Sequence, residues 1–170
     1  MTFPRIVAVL ATLATGLAAG FFVTYTISVT RGLAVVDDAT YVQAMQSINA
    51  TVRTGWFAAF FFGSAPLLAL AAVTVSGVAA RVALAVATAI YAVGVLGVTF
   101  LVNVPLNDEL AERTDPSSAA LVEARAAFED PWNEWNLLRT LAALTVFAVV
   151  VVVVATFPEA RSHRRTADRG

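Results

Sequence analysis

The chain has 170 residues, is 59% hydrophobic and only 14% charged, and carries a net charge of −1. Soluble domains are about a quarter charged, so this much apolar sequence points to a membrane, and the lack of basic excess excludes a nucleic-acid role. The absence of cysteine excludes disulfides, iron–sulfur clusters and thiol chemistry. All eleven basic side chains are arginine, which excludes Schiff-base chemistry on lysine, and the single histidine, His163, lies in a polar tail, which argues against a haem, copper or zinc site.

Charge-free runs of about 20 residues are the signature of helices that cross a bilayer. Four occur: between Arg5 and Arg31, Arg53 and Arg81, Arg81 and Asp108, and Arg139 and Glu159. They predict an all-α, integral membrane four-helix bundle with spans at 6–29, 55–77, 82–103 and 136–157. Residues 1–157 form its membrane domain, and residues 158–170 a polar, disordered cytoplasmic tail. The first apolar run continues through Phe21, Phe22, Val23 and Ile27, past the length of a signal-peptide core, so it reads as a span and not as a cleaved signal. Arginine placement, dominated by Arg161, Arg164, Arg165 and Arg169, predicts a multi-pass protein of the cell membrane with both termini cytoplasmic.

Between the spans lie one tight turn, around "VSGVAARVAL", and two long extracytoplasmic loops. The first loop carries a short helix capped by Asp38 or Thr40. On it Tyr41, Met45, Ile48 and Val52 form one stripe, and Gln46, Asn49 and Arg53 another. The second loop is acidic and has two helix starts, each an aspartate followed by proline: Asp115-Pro116 and Asp130-Pro131. Within the spans, Gly16 with Gly20 and Gly94 with Gly97 predict close helix packing, Pro66 predicts a kink, and the valine run of the last span predicts a lipid-facing wall.

The polar residues gather at one level. With a helix starting at Asp130, Trp132, Trp135, Asn136 and Arg139 fall at i, i+3, i+4 and i+7, one face of the helix. Pro105 breaks the third span and leaves Asn103 and Asn107 at the same height, and Gln46 and Asn49 of the loop helix close over them. The tryptophans alone suit an interfacial belt, and Arg139 alone suits snorkelling to phosphate or a pair with Asp108, Glu109 or Glu134. Together they form a mouth in which Arg139 presents its fork of donors to an anionic or carbonyl-bearing ligand.

In chain order, "AAGFFVTYTISVTRGL", "YVQAMQSIN", "FAAFFFGSAPLLAL", "VPLNDEL" and "WNEWNLLRT" resemble the small integral membrane proteins of domain of unknown function 1772, which are related to fungal anthrone oxygenases. The resemblance covers most of the chain apart from the tail, and it departs from the family at Arg31, where proline is expected. It implies oxidation of an anthrone-like aromatic or quinol-type lipophile by dioxygen, with no metal and no added cofactor. Arg139 would stabilise a substrate anion, Asn103, Asn107 and Asn136 would orient it, and Asp108, Glu134 or Tyr41 would act as base. Two other functions compete. One is a non-catalytic membrane protein that binds a lipid, a quinone or a partner protein. The other is a small transporter, which the absence of an intramembrane carboxylate disfavours.

Overall fold

The computed structural model describes residues 2–52 and 55–156. Arg53, the end of the last predicted span and the tail with His163 lie outside the described residues. Among the described residues the structure is helical and contains no strand. Four helices are long and apolar enough to cross a membrane: α1 (Phe3–Leu33), α3 (Trp56–Thr74), α4 (Val78–Glu112) and α5 (Ser118–Ala155). A fifth, α2 (Asp38–Val52), joins α1 to α3. Every backbone donor and acceptor inside a bilayer must find its partner within the protein, which is why these apolar runs are helices.

The helices alternate in direction. The ends of α1 and α4, the start of α5 and all of α2 therefore lie at one end of the molecule, the capped end. Around the bundle α1 packs on α3, α3 on α4, α4 on α5, and α5 back on α1. Three of the helices, α1, α4 and α5, run longer than the charge-free stretches that locate them, while α3 is shorter than its own. At 1.5 Å per residue, α4 and α5 are each more than about 50 Å long, against about 30 Å of hydrocarbon. Both rise past the bilayer at the capped end and flank α2.

Several predicted boundaries are corrected. Asp130 and Pro131 start no helix: α5 runs unbroken from Ser118 through both to Ala155. Proline costs an interior helix one hydrogen bond and a clash, and here the residues on either side pack well enough to carry the helix through it. Asp115 and Pro116 lie just ahead of α5, where the Asp115 carboxylate accepts from the Ser117 amide at 2.8 Å. Pro105 does not break the third span. It sits in the first turn of a segment that continues α4 to Glu112. The cap of α2 is Asp37, and neither Asp38 nor Thr40: its carboxylate accepts from the Thr40 amide at 3.0 Å and from the Thr40 hydroxyl at 2.7 Å. These bonds hold the Asp37 carboxyl below its ordinary pKa.

Two apolar clusters fill the molecule. The larger runs along the bundle axis through Phe22, Phe61, Leu68, Leu84, Tyr91 and Val146. The smaller lies under α2 and joins Tyr25, Tyr41, Met45, Leu110, Phe128 and Trp132. The valine run of α5 is not wholly a lipid-facing wall. Val146, Val150 and Val153 are buried in the core, while Val151 and Val152 face outward. Helical periodicity divides such a run between two faces.

Of the glycine pairs, one member of each marks a close approach. A Cβ on Gly16 would stand 2.9 Å from the Phe147 ring, and one on Gly94 would stand 2.8 Å from the Ala142 Cβ. Gly20 faces open space, and Gly97 faces a carbonyl of its own helix. Ala142 is a stub on a rigid helix, so relief at Gly94 requires α4 and α5 to move apart. Gly94→Val is expected to lower stability by about 1–3 kcal/mol, the range for overpacked cores, read as a fall in the thermal unfolding midpoint in detergent. Gly20→Val, with nothing opposite, provides the matched control.

Candidate functional site

The site begins as a stripe on α5. Trp132, Asn136, Arg139, Thr140, Ala143 and Val146 are all buried, and their spacing follows the 3.6-residue turn and keeps one face inward. Trp135 shares the predicted spacing but is exposed on the outside of the helix.

The opposing face of α4 is built differently. Its buried residues Tyr91, Val95, Thr99 and Asn103 step by four each time. In a regular α-helix each such step drifts by about 40°, so three would turn the last residue well away from the first. Here the backbone is π-helical over Tyr91–Gly97 and again over Thr99–Asn103. The wider turns cancel the drift, and π-turns often occur at functional sites. Another π-turn, Tyr25–Val29, sits at the same level of α1. Thr99, Asn103 and Tyr25 owe their inward positions to these turns.

Arg139 is the centre of the arrangement and is only 6% exposed. Its Nη1 donates to Thr99 Oγ1 at 3.1 Å and its Nη2 to Asn136 Oδ1 at 2.7 Å. Asn136 is held in turn, since its Nδ2 donates to Thr26 Oγ1 at 3.1 Å. The guanidinium carbon lies 4.5 Å from the Phe22 ring centroid and 5.6 Å from that of Trp132, attractive distances for a cation over an aromatic face. Trp132 Nε1 donates to Asn107 Oδ1 at 2.8 Å, and Asn103 Nδ2 donates to the Trp132 carbonyl at 3.4 Å. Among the described residues no carboxylate lies within ion-pair distance of Arg139. Among the described residues the cation meets dipoles and ring faces.

Beside it is a cavity of about 260 Å³ to which all five helices contribute. Its walls are mainly aromatic: Phe21, Phe22 and Tyr25 from α1, Phe57, Phe61 and Phe62 from α3, Phe100 from α4 and Trp132 from α5. Its polar points are Asn49, Thr99, Asn103, Asn107 and Arg139. Three of these carry a buried atom with no hydrogen-bond partner among the described residues: Asn49 Nδ2, Asn103 Oδ1 and Arg139 Nε. Buried polar atoms are nearly always paired. Unpaired buried atoms on three residues that line one cavity single out this part of the molecule.

The structure thus brings together Arg139, Asn103, Asn107, Trp132 and Asn49 on the cavity, with Asn136 behind Arg139. It places the other expected residues elsewhere. Gln46 fastens α2 to the end of α4, donating to the Leu110 carbonyl at 2.8 Å and the Arg113 carbonyl at 3.1 Å. Tyr41 is buried in the cluster under α2, with the Arg125 guanidinium 4.5 Å from its ring, away from the cavity; burial raises its phenol above the ordinary pKa, the opposite of what a base requires. Asp108 and Glu134 are exposed and outside the cavity lining. Among the described residues, no carboxylate or imidazole lines the cavity, and no group of three His, Cys, Asp or Glu side chains could hold a metal ion. Thr99, Tyr25 and most of the aromatic wall escape the sequence reading. The run "WFAAFFFG", which supplies Phe57, Phe61 and Phe62 of the wall, reads equally well as a lipid-facing surface.

No curated protein and no solved structure matches the chain. A family model described as anthrone oxygenase matches residues 56–149, more than half of the sequence. The match takes in α3, α4 and α5 as far as Val149, and so includes Thr99, Asn103, Asn107, Trp132, Asn136 and Arg139, while the walls supplied by α1 and α2 lie outside it. The chain belongs to the anthrone oxygenase family.

Proposed function

We propose that the cavity binds a flat aromatic lipophile and presents it, as an oxygen-centred anion beside Arg139, to dioxygen. The observation that carries this is the buried guanidinium, with no counter-anion among the described residues, on the wall of an aromatic cavity. The volume is near the low end for small-molecule pockets, about 300 Å³ and upward, which suits a compact fused-ring ligand. An anthrone-type ketone loses a proton from the methylene opposite its carbonyl, and the charge moves to the carbonyl oxygen. Arg139 and Asn49 offer that oxygen donors that need no reorganisation, in surroundings of low dielectric where they act most strongly.

The electron count closes without a cofactor. The anion gives one electron to dioxygen, and the resulting radical and superoxide combine at the former methylene carbon. The hydroperoxide formed after protonation loses water to leave a second carbonyl, so one oxygen atom ends in the quinone and the other in water. With no carboxylate or imidazole among the described lining residues, the first proton passes to water, and the chain contributes by stabilising the anion. The protein acts, in this reading, in the cell membrane with both termini cytoplasmic, supported by the arginines of the tail.

The test is oxygen uptake by purified protein in detergent supplied with anthrone. Uptake should be matched one for one by anthraquinone and exceed the rate in detergent alone. Asn49→Leu, which removes an amide donor from the cavity, should lower the rate about tenfold, or about 1.4 kcal/mol of barrier. Uptake no faster than in detergent alone sinks the oxygenase reading. The missing base favours one second reading, a protein that holds such a lipophile without turning it over. It would show saturable quenching of Trp132 by anthraquinone with no oxygen uptake.

A further inference from the structure

Ligand access is decided by how the cavity is walled. Toward the capped end it is roofed by α2, through Asn49 and Val52. That roof is fastened by the Gln46 bonds to α4, and next to it Arg125 of α5 donates to the carbonyls of Ala34 and Val36 at 3.1 and 2.8 Å. The side between α3 and α4 is different. The two helices pack closely from the turn at 75–77 through Ile90, and their backbones part beyond it. In the gap two side chains meet: Phe62 and Phe100 stack with ring centroids 6.0 Å apart and planes at 24°. Both line the cavity, yet they are 51% and 48% exposed on the outside of the bundle. Among the residues that line the cavity, these two are the exposed ones, so they stand at its edge on that side.

Depth identifies the surroundings. Phe62 is six residues into α3 from the exposed Trp56, about 9 Å along the axis, and Phe100 is eight residues before Asp108, about 12 Å. Both distances fall within the half-thickness of a hydrocarbon core of about 30 Å. With Trp56 and Asp108 taken as the interfacial ends of their spans, that depth puts the rings against acyl chains.

We propose that the cavity fills sideways from the bilayer, between α3 and α4, and that the Phe62–Phe100 pair is the door. This rests on the cavity being a ligand site. The two rings are half exposed and pack on each other and on Phe61, whereas the roof is held by hydrogen bonds to the end of α4. A lipophile already dissolved in the membrane then reaches Arg139 without crossing water, and a ligand that does not partition into the bilayer has no direct route.

The chain has no cysteine, so a single thiol can report the route without reference to any reaction. Ala58 lines the cavity, and Ala58→Cys is the reporter, in protein reconstituted into phosphatidylcholine vesicles. Its labelling by membrane-dissolved pyrene maleimide should rise about tenfold when Phe100→Ala is added, and likewise with Phe62→Ala as the second door variant. Labelling by a sulfonated, water-borne maleimide should stay slow in all three proteins. Two results overturn the proposal: a sulfonated reagent that labels the undisturbed door protein as fast as the pyrene reagent, or door variants that keep the native elution profile and leave pyrene labelling unchanged. Failure of oxygen uptake would not alter either rate, so the route and the chemistry are judged separately.

Discussion

Arg139→Leu is expected to yield a protein that is more stable than the wild type and nearly inactive. A buried cation carries a desolvation penalty of several kcal/mol, normally offset by an opposing charge. Arg139 has no such partner among the described residues, only Thr99, Asn136 and two aromatic faces. Leucine removes the penalty and packs against Phe22. It leaves Asn136 Oδ1 without its donor, at a cost of about 1–3 kcal/mol. The balance favours the variant by about 1–3 kcal/mol, in line with apolar replacements of buried charges. Oxygen uptake should fall by about 10²–10³, the effect of losing a principal donor to a developing anion. Thermal unfolding in detergent and the anthrone assay check the two halves together. A variant that fails to insert or unfolds at lower temperature would make Arg139 a structural fastener and remove the basis for a ligand anion at this position.

The second large effect is expected at Arg125, which sits on α5 outside the apolar stripe. One side chain holds four groups. It donates to the carbonyls of Ala34 and Val36, to Asp38 Oδ1 at 3.1 Å and to Glu129 Oε2 at 2.6 Å, and its guanidinium lies over Tyr41. The Arg125 and Glu129 side chains are 16% and 17% exposed, so this cluster is not a loose surface pair. Arg125→Ala strands a largely buried carboxylate and two carbonyls, for an expected loss of about 3 kcal/mol. The loss should be local. Amide hydrogen exchange over Asp38–Val52 should speed up by about 10²-fold while exchange in Trp56–Thr74 is unchanged. Uniform acceleration through all helices would mean that α2 and the bundle unfold as one unit.

The spans were legible because charge-free length is a one-dimensional property, and the arginines that bound them are unmistakable. The α5 stripe was legible because an undistorted helix repeats in sequence as it does in space, so Trp132, Asn136 and Arg139 could be read from their spacing. The same rule misplaced Trp135, since i+3 and i+4 neighbours straddle the face and only packing decides which turns inward. Helix ends were misread wherever an Asp-Pro pair looked like a start. Tertiary contacts carry α5 through Pro131, and no local signal reports them. Thr99 was invisible for a deeper reason: its direction depends on π-turns, which have no residue signature in "YAVGVLGVTFLVN". The phenylalanine wall was hidden because a ring facing lipid and a ring facing an internal cavity are drawn from the same alphabet.

The helix lengths also bear on the lipid around the protein. At 19 residues α3 spans about 28 Å, slightly less than a typical hydrocarbon core, while its neighbours all exceed it. The annulus is then under uneven tension. Acyl chains against α3 must shorten or tilt to keep the helix ends at the interface, at a fraction of a kcal/mol per ångström of mismatch, and those against α1 and α5 need not. A bilayer thicker than α3 is long has to thin, or the flanking side chains have to snorkel, on that one flank of the molecule. Membrane thickness thereby becomes a variable that acts on α3 from outside the chain.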